Sequence, residues 1–331
     1  MCRPELLQIK IKREETTMDK YCIGIDIGGT TVKLGLFLTD GTVVDKWEIP
    51  TRTENNGDQI LPDIAASIKE KMAEKGISPE EVEGAGMGFP GPVLSDGYVE
   101  VCVNIGWHDK NPQEELSALL DGMHVRSGND ANVAALGEMW QGGGKGCRNL
   151  VAVTLGTGVG GGVIIDGKIL AGTHGTGGEI GHIHVRDEET EYCNCGGQGC
   201  LEQVASATGI VREAKRILAR EDKPSMLREK GEKLTAKDVL DAAKAGDELA
   251  DQTVDTACRY LGIVLAQVSM TVDPERFVIG GGVSKAGKFL VDRIWKYYDH
   301  YTPITTKKAD IQLAQLGNDA GIYGAAKLIL G

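Results

Sequence analysis

The 331-residue sequence contains no run of about twenty apolar residues, so no segment of it reads as a membrane-spanning helix. It also lacks, at its start, the charged, apolar and small-residue succession of a secretory signal, and the expected location is cytoplasmic. Positive charge is in short supply, with 36 lysines and arginines against 48 aspartates and glutamates, a net charge of −12. A nucleic acid or an anionic membrane needs a basic patch to bind, so neither is an expected partner. Of eight cysteines, Cys2, Cys22, Cys102, Cys147 and Cys258 are scattered without spacing, as in a reducing compartment. Cys22, Cys102 and Cys258 lie in apolar surroundings and read as packing residues.

Glycine, in contrast, is abundant: its 46 positions point to many tight backbone turns near ligands. The length allows two domains of about 100 to 200 residues with a cleft between them. Residues 1–18, MCRPELLQIKIKREETTM, are charged and read as a disordered extension or an upstream start; they are given no function.

From Tyr21 the chain alternates apolar with small or polar residues and turns at Asp40-Gly41, which predicts a β-meander. A helical stripe follows over 60–72, then a short strand over 82–88 that ends in Gly-Phe-Pro-Gly-Pro, and a helix over 131–140. Residues 150–170 repeat the theme of 21–44, which suggests two related halves. A long amphipathic helix is expected over 248–270, and the terminal AGIYGAAKLIL as a helix packing back on an earlier domain.

Three glycine turns stand out: Asp26-Ile27-Gly28-Gly29-Thr30-Thr31-Val32-Lys33, then Gly156-Thr157-Gly158, then Gly280-Gly281-Gly282. Glycines let backbone N–H groups approach a phosphate, threonine hydroxyls add donors, and a carboxylate can position hydrated magnesium. Any one of them alone is more simply explained as a hairpin glycine with a purely conformational role. Gly156-x-Gly158-x-x-Gly161 matches the dinucleotide fingerprint only formally, because a strand rather than a helix follows it. Residues 162–168 match the start of a phosphate-binding P-loop, yet Ile169 stands where Ser or Thr should bind magnesium.

Between Gly178 and Glu202, His182, Cys193, Cys195 and Cys200 supply an imidazole and three thiolates, a complete tetrahedral set for structural zinc. Glu179 and Glu202 flank them and are free to face whatever the loop encloses. Ordinary reduced cysteines beside an incidental histidine are the competing reading, and the tight Cys-x-Cys-x4-Cys spacing favours the metal.

Taken in order, DIGGTTVK, GFPGP, NIGW, GNDAN, LGTGVGGG, GEIGH, CNCGGQGCLE and VIGGGVS closely resemble the ROK family of bacterial sugar kinases and sugar-responsive repressors. The resemblance runs from Tyr21 to the end, and the cysteine stretch is similar to that of glucokinases of Gram-positive bacteria. It implies an α/β architecture of the actin-like, ribonuclease-H-like ATPase fold, with two domains, 19–128 and 129–318, around a cleft and residues 319–331 packing back on the first. It further implies that Gly28, Gly29, Thr30 and Lys33, with Gly156, Thr157 and Gly158, grip ATP phosphates, and that Gly281 and Gly282 pack against adenosine. Sugar ligands would be Asn104, Asn129, Asp130, Glu179, His182 and Glu202, with Asp130 as general base, ATP and Mg2+ as cofactors, and Zn2+ on His182, Cys193, Cys195 and Cys200.

Spacing alone gives Asp130 another role, that of helix N-cap. Asn104 and Trp107 could equally belong to a packed turn, and Lys33 could be a solvated strand lysine. The expected reaction is phosphorylation of the 6-hydroxyl of glucose, with fructose, mannose, allose or N-acetylmannosamine as alternative hexoses and polyphosphate as an alternative donor. A repressor would need a helix-turn-helix domain ahead of DIGGT, where about 25 strongly polar residues stand. The family resemblance suits a homodimer or homotetramer.

Overall fold

Strands rich in valine, isoleucine and leucine with glycines between them build two sheets of the same topology. The computed structural model describes residues 20–331 except 95 and 305, so the expected extension at 1–18 lies outside the described residues. In the first sheet, Tyr21–Ile27 (β1), Thr31–Leu38 (β2) and Val43–Pro50 (β3) form the expected antiparallel meander. The helix Ile60–Lys75 buries Ile60, Leu61, Ile64, Ala65, Ile68 and Met72, and stops at Gly76, whose φ of 68° is left-handed. The chain then returns as Val82–Phe89 (β4), parallel to β1. A hairpin of Val99–Cys102 (β5) and Trp107–Lys110 (β6) rises beside the sheet, and Val125–Asn129 (β7) adds parallel to β4, giving the order β3-β2-β1-β4-β7.

The second sheet repeats this plan. Leu150–Leu155 (β8), Val159–Ile165 (β9) and Lys168–Ile169 (β10) form the meander. Arg276–Gly280 (β11) and Asp310–Leu313 (β12) add in parallel, in the order β10-β9-β8-β11-β12. The 25-residue helix Glu248–Val272 buries Val254, Leu261, Val264 and Leu265 in the core of this half, with Asp247 capping it by accepting from the N–H groups of Leu249 and Ala250. A duplicated meander followed by parallel strands is the topology of the actin-like, ribonuclease-H-like ATPase fold, two α/β halves facing one cleft. Among the described residues no helix is long and apolar enough to cross a membrane.

The chain passes between the halves twice. The helix Asp130–Gln141 leads from β7 toward β8, and the C-terminal helix Ala320–Leu330 comes back from β12 to lie on the first sheet. That return depends on Gly24 of β1 and Gly86 of β4, register partners in the sheet. A Cβ at either would stand 1.8 Å from a helix carbonyl, that of Ile322 or Ala325 respectively. Only glycine lets the helix backbone sit directly on the strands at this point.

Candidate active site

Strand β7 delivers Asn129 and Asp130 at its carboxyl end, the edge where open α/β sheets bind ligands. Asn129 keeps an extended backbone, and its Oδ1 accepts from the N–H groups of Ala131 at 3.0 Å and Asn132 at 3.2 Å. The cap role that spacing gives to Asp130 therefore falls to its neighbour, a correction with a simple cause: the residue with β backbone is the one whose side chain can turn back onto the first N–H groups. Asn129 also donates from Nδ2 to the carbonyl of Gly91 at 3.2 Å, which ties the Gly-Phe-Pro-Gly-Pro loop to the start of the helix. Asp130, the first helical residue, is half-buried; burial pushes its carboxyl up, against the pull of the Ala131 N–H at 2.8 Å.

A second carboxylate shares this field. Asp26, near the carboxyl end of β1, is pushed up to about 6 by burial, with Lys33 opposing the rise and Asp130 adding to it. The sequence reading left Asp26 out of the site, although its place as the first residue of the first glycine turn was a usable signal.

The first turn, between β1 and β2, is closed by Gly28 N–H donating to the Thr31 carbonyl at 3.0 Å, and Thr51 braces it through its hydroxyl to Gly28 O at 2.7 Å. Gly29 and Thr30 are exposed at its tip, and Lys33 lies opposite Asp26 in the β1–β2 register, its Nζ donating to Asn318 O at 3.1 Å. A Cβ on Gly29 would be 3.7 Å from the carbonyl of Asn104, so the exposed Asn104 turn, Val103–Ile105, borders the first turn. Trp107 just beyond is fully buried and donates from its indole to Gly57 O at 3.3 Å, which makes it a packing residue.

The second turn joins β8 to β9. Gly156 N–H donates to Gly158 O at 3.0 Å, and Thr208 Oγ1 donates to Thr157 O at 2.8 Å, leaving Thr157 exposed at the tip. A strand follows this turn, as expected, and the P-loop-like 162–168 is strand β9 running into a turn with left-handed Asp166 and Gly167. Gly281 has φ 84°, and a Cβ there would be 2.5 Å from the Leu155 carbonyl oxygen, so the third turn lies against the second. Gly282 beside it is exposed.

The cysteine loop lies against the second turn. His182 Nδ1 is 3.7 Å from Cys193 Sγ, Cys195 Sγ is 3.6 Å from Cys200 Sγ, and the four ligand atoms all lie within 4.8 Å of one another. A tetrahedral zinc with Zn–S of about 2.3 Å has S···S edges of about 3.8 Å, so the quartet has the size as well as the donor chemistry for that ion. The other ring nitrogen of His182, Nε2, faces Glu179 Oε2 at 3.9 Å. Glu202 links the loop to the second glycine turn: Oε2 accepts from Val159 N–H at 2.9 Å, Oε1 is 3.6 Å from Cys193 Sγ, and Gly158 is a glycine where any Cβ would strike this carboxylate. Behind the loop, the fully buried carboxylate of Glu189 accepts from both terminal nitrogens of Arg216, at 2.8 and 2.7 Å, and is held down at about 2 by that guanidinium.

Two neighbouring carboxylates, two exposed glycine turns and a histidine with an acidic neighbour are thus distributed over the two halves of an actin-like ATPase fold. The chain belongs to the ROK family, whose profile matches residues 22–331. It is 45% identical to a glucokinase of Halalkalibacterium halodurans over 94% of this chain and 95% of the relative. Among solved structures it is similar to the ROK hexokinase of Thermus thermophilus, with TM-score 0.78 and 31% identity over 92% of this chain and 96% of that one. It is also similar to a ROK family glucokinase from Streptomyces griseus in complex with glucose and AMPPNP, with TM-score 0.71 and 32% identity over 93% of this chain and 98% of that one.

Proposed function

We propose that this protein is a glucokinase that transfers the γ-phosphoryl group of ATP to the 6-hydroxyl of glucose. The observation that carries the reading is the two-sided placement of His182, a member of the cysteine quartet, with Nδ1 toward the Cys193 sulfur and Nε2 toward Glu179. A hexose hydroxyl both donates and accepts, so an imidazole nitrogen beside a carboxylate is a fitting receptor for it. Zinc bound by His182, Cys193, Cys195 and Cys200 would fix the tautomer and orientation of that imidazole. Glu179 and Glu202 accept from sugar hydroxyls on this side of the cleft, and Asn104 and the Asn129 segment border the other.

Asp130 acts as general base. Its carboxyl, raised by burial, takes the proton of the attacking hydroxyl, an effect worth about 10² to 10⁴ in rate. Gly28, Gly29, Thr30 and Lys33 from one half and Gly156, Thr157 and Gly158 from the other hold the phosphates, with Gly281 and Gly282 beside the adenosine. Asp26, at the start of the first turn, would hold hydrated Mg2+ next to them, which would neutralise charge on the transferring group. The two sheets support reading 19–128 and 129–318 as domains that close over the substrates, with 319–331 returning to the first, so that water is kept from the phosphoryl group.

The test is a coupled assay of ADP release with glucose, fructose, mannose, allose and N-acetylmannosamine, run on the native protein and on Asp130→Asn. Glucose is expected to give the highest kcat/KM, and the variant is expected to keep its fold and lose turnover. Absence of glucose-dependent ADP release from the native protein would overturn the reading.

A further inference from the structure

We infer that Glu138 is a positioning residue that pins the hinge between the two halves and so sets the distance of Asp130 from the phosphate turns. Glu138 lies eight residues after Asp130 on the helix Asp130–Gln141 and is 4% exposed. Its carboxylate takes its hydrogen bonds from backbone: Gly143 N–H at 2.8 Å, Gln315 N–H at 3.0 Å and Leu316 N–H at 2.9 Å. Those three donors lie on both passages between the halves. Gly143 follows the Asp130 helix on its way to β8, whereas Gln315 and Leu316 follow β12 on the way to the C-terminal helix.

At two glycines the crossing helices touch backbone to backbone, with the rings of Trp140 and Tyr323 packed at 6.2 Å beside them. A Cβ on Gly137 would be 2.2 Å from Ala320 O, and one on Gly324 would be 1.7 Å from Val133 O. Beside this close approach, the Glu138 carboxylate ties the segment that leaves the first helix to the segment that enters the second. Two and three residues past Leu316, the clamped segment meets the first sheet: Asn318 O accepts from Lys33 Nζ of β2 at 3.1 Å, and Asp319 pairs with Lys46 of β3 at 2.7 Å. One buried side chain therefore joins the helix that carries Asp130 to the segment that braces the first glycine turn.

Glutamine at this position keeps one acceptor oxygen and replaces the other by a donor, so at least one of the three N–H groups loses its partner. Misplacement by about 1 Å costs on the order of 100-fold in rate when reacting groups must be aligned. Glu138→Gln is expected to lower kcat for glucose by about 10- to 100-fold with KM for glucose and ATP within about threefold of the native values. ADP release in the absence of sugar is expected to rise relative to glucose-dependent release, because a loosened closure admits water. The contraction on adding glucose, read by small-angle scattering of the whole chain, is expected to shrink.

A folded Glu138→Gln protein with native kcat and native contraction overturns the inference. So does a loss of kcat that only tracks a smaller folded fraction, with the sugar-free to glucose-dependent ratio unchanged. Should the glutamine variant fail to fold, Glu138→Asp, which keeps both oxygens one methylene short, is expected to show the same changes at smaller amplitude, and native behaviour in it is equally fatal. The inference rests on the kinase reading, and the two fail differently: no glucose-dependent turnover in the native protein defeats the kinase, whereas native turnover matched by the variants defeats the hinge pin alone.

Discussion

Replacing Asp26 by asparagine should stabilise the ligand-free protein while abolishing its activity. The Asp26 carboxyl is raised from 3.8 to about 6, chiefly by burial under the start of the C-terminal helix, where a Cβ on Gly321 would stand 2.6 Å from its carboxylate. At about 1.4 kcal/mol for each tenfold change in proton affinity, keeping this side chain ionised costs the folded state about 3 kcal/mol. The folded chain binds the proton more tightly than the unfolded one. Its stability is therefore highest below 3.8 and falls as pH rises to about 6, with no further loss above that. Asparagine carries no such proton and fills nearly the same volume. The advantage of Asp26→Asn should accordingly be about 3 kcal/mol at pH 7.5, about half of that at pH 5, and small at pH 4.

Urea unfolding followed by tryptophan fluorescence at those pH values reads the gap directly. By thermal scanning the same gap corresponds to an upward shift of roughly 6 to 12 °C at pH 7.5, at roughly 2 to 4 °C per kcal/mol. Saturating Mg-ATP should narrow the gap, since the native protein binds it better and gains the larger linkage stabilisation. Equal midpoints at pH 7.5, or an advantage that stays the same at pH 5, would refute the claim that the buried charge is a liability kept for function. A stable, inactive variant is the expected trade between stability and a strained site.

Three further outcomes follow from the same geometry. Cys200→Ser should reduce bound zinc, measured by elemental analysis, and raise KM for glucose by about 10- to 100-fold, because His182 loses its fixed orientation; unchanged KM in a zinc-free protein would defeat that link. The acid limb of kcat/KM should lie above the ordinary carboxylate range, since burial raises both Asp130 and Asp26, the latter to about 6, and activity needs both ionised; a profile flat down to pH 5 would contradict it. Glu202→Gln should raise KM for both glucose and ATP, as this carboxylate borders the cysteine loop and also holds Val159 N–H beside the second glycine turn, and an effect confined to one substrate would break the proposed connection.

What the sequence made legible was local. The meanders at 21–44 and 150–170 declare themselves because glycine turns and alternating strands are written in adjacent residues, and the cluster of one histidine and three cysteines because its four members fall within one loop. Where two neighbours could play one part, spacing failed: Asn129 and Asp130 are both good caps, and only the extended backbone at the end of β7 makes Asn129 the cap, while Asp130, the first helical residue, shares just the Ala131 N–H. The environment of Asp26 is illegible for a different reason. Its raised carboxyl is set by the C-terminal helix, which arrives from the far end of the chain and can lie so close only because Gly24 and Gly86 carry no side chain. Those two glycines read, in sequence, as ordinary strand interruptions, and Glu138 as an ordinary helical glutamate. Their meaning lies in the contact between the two crossing segments. On the proposed closure of one half against the other, the residues that tune it have to sit where the crossings meet, remote in sequence from the groups they align.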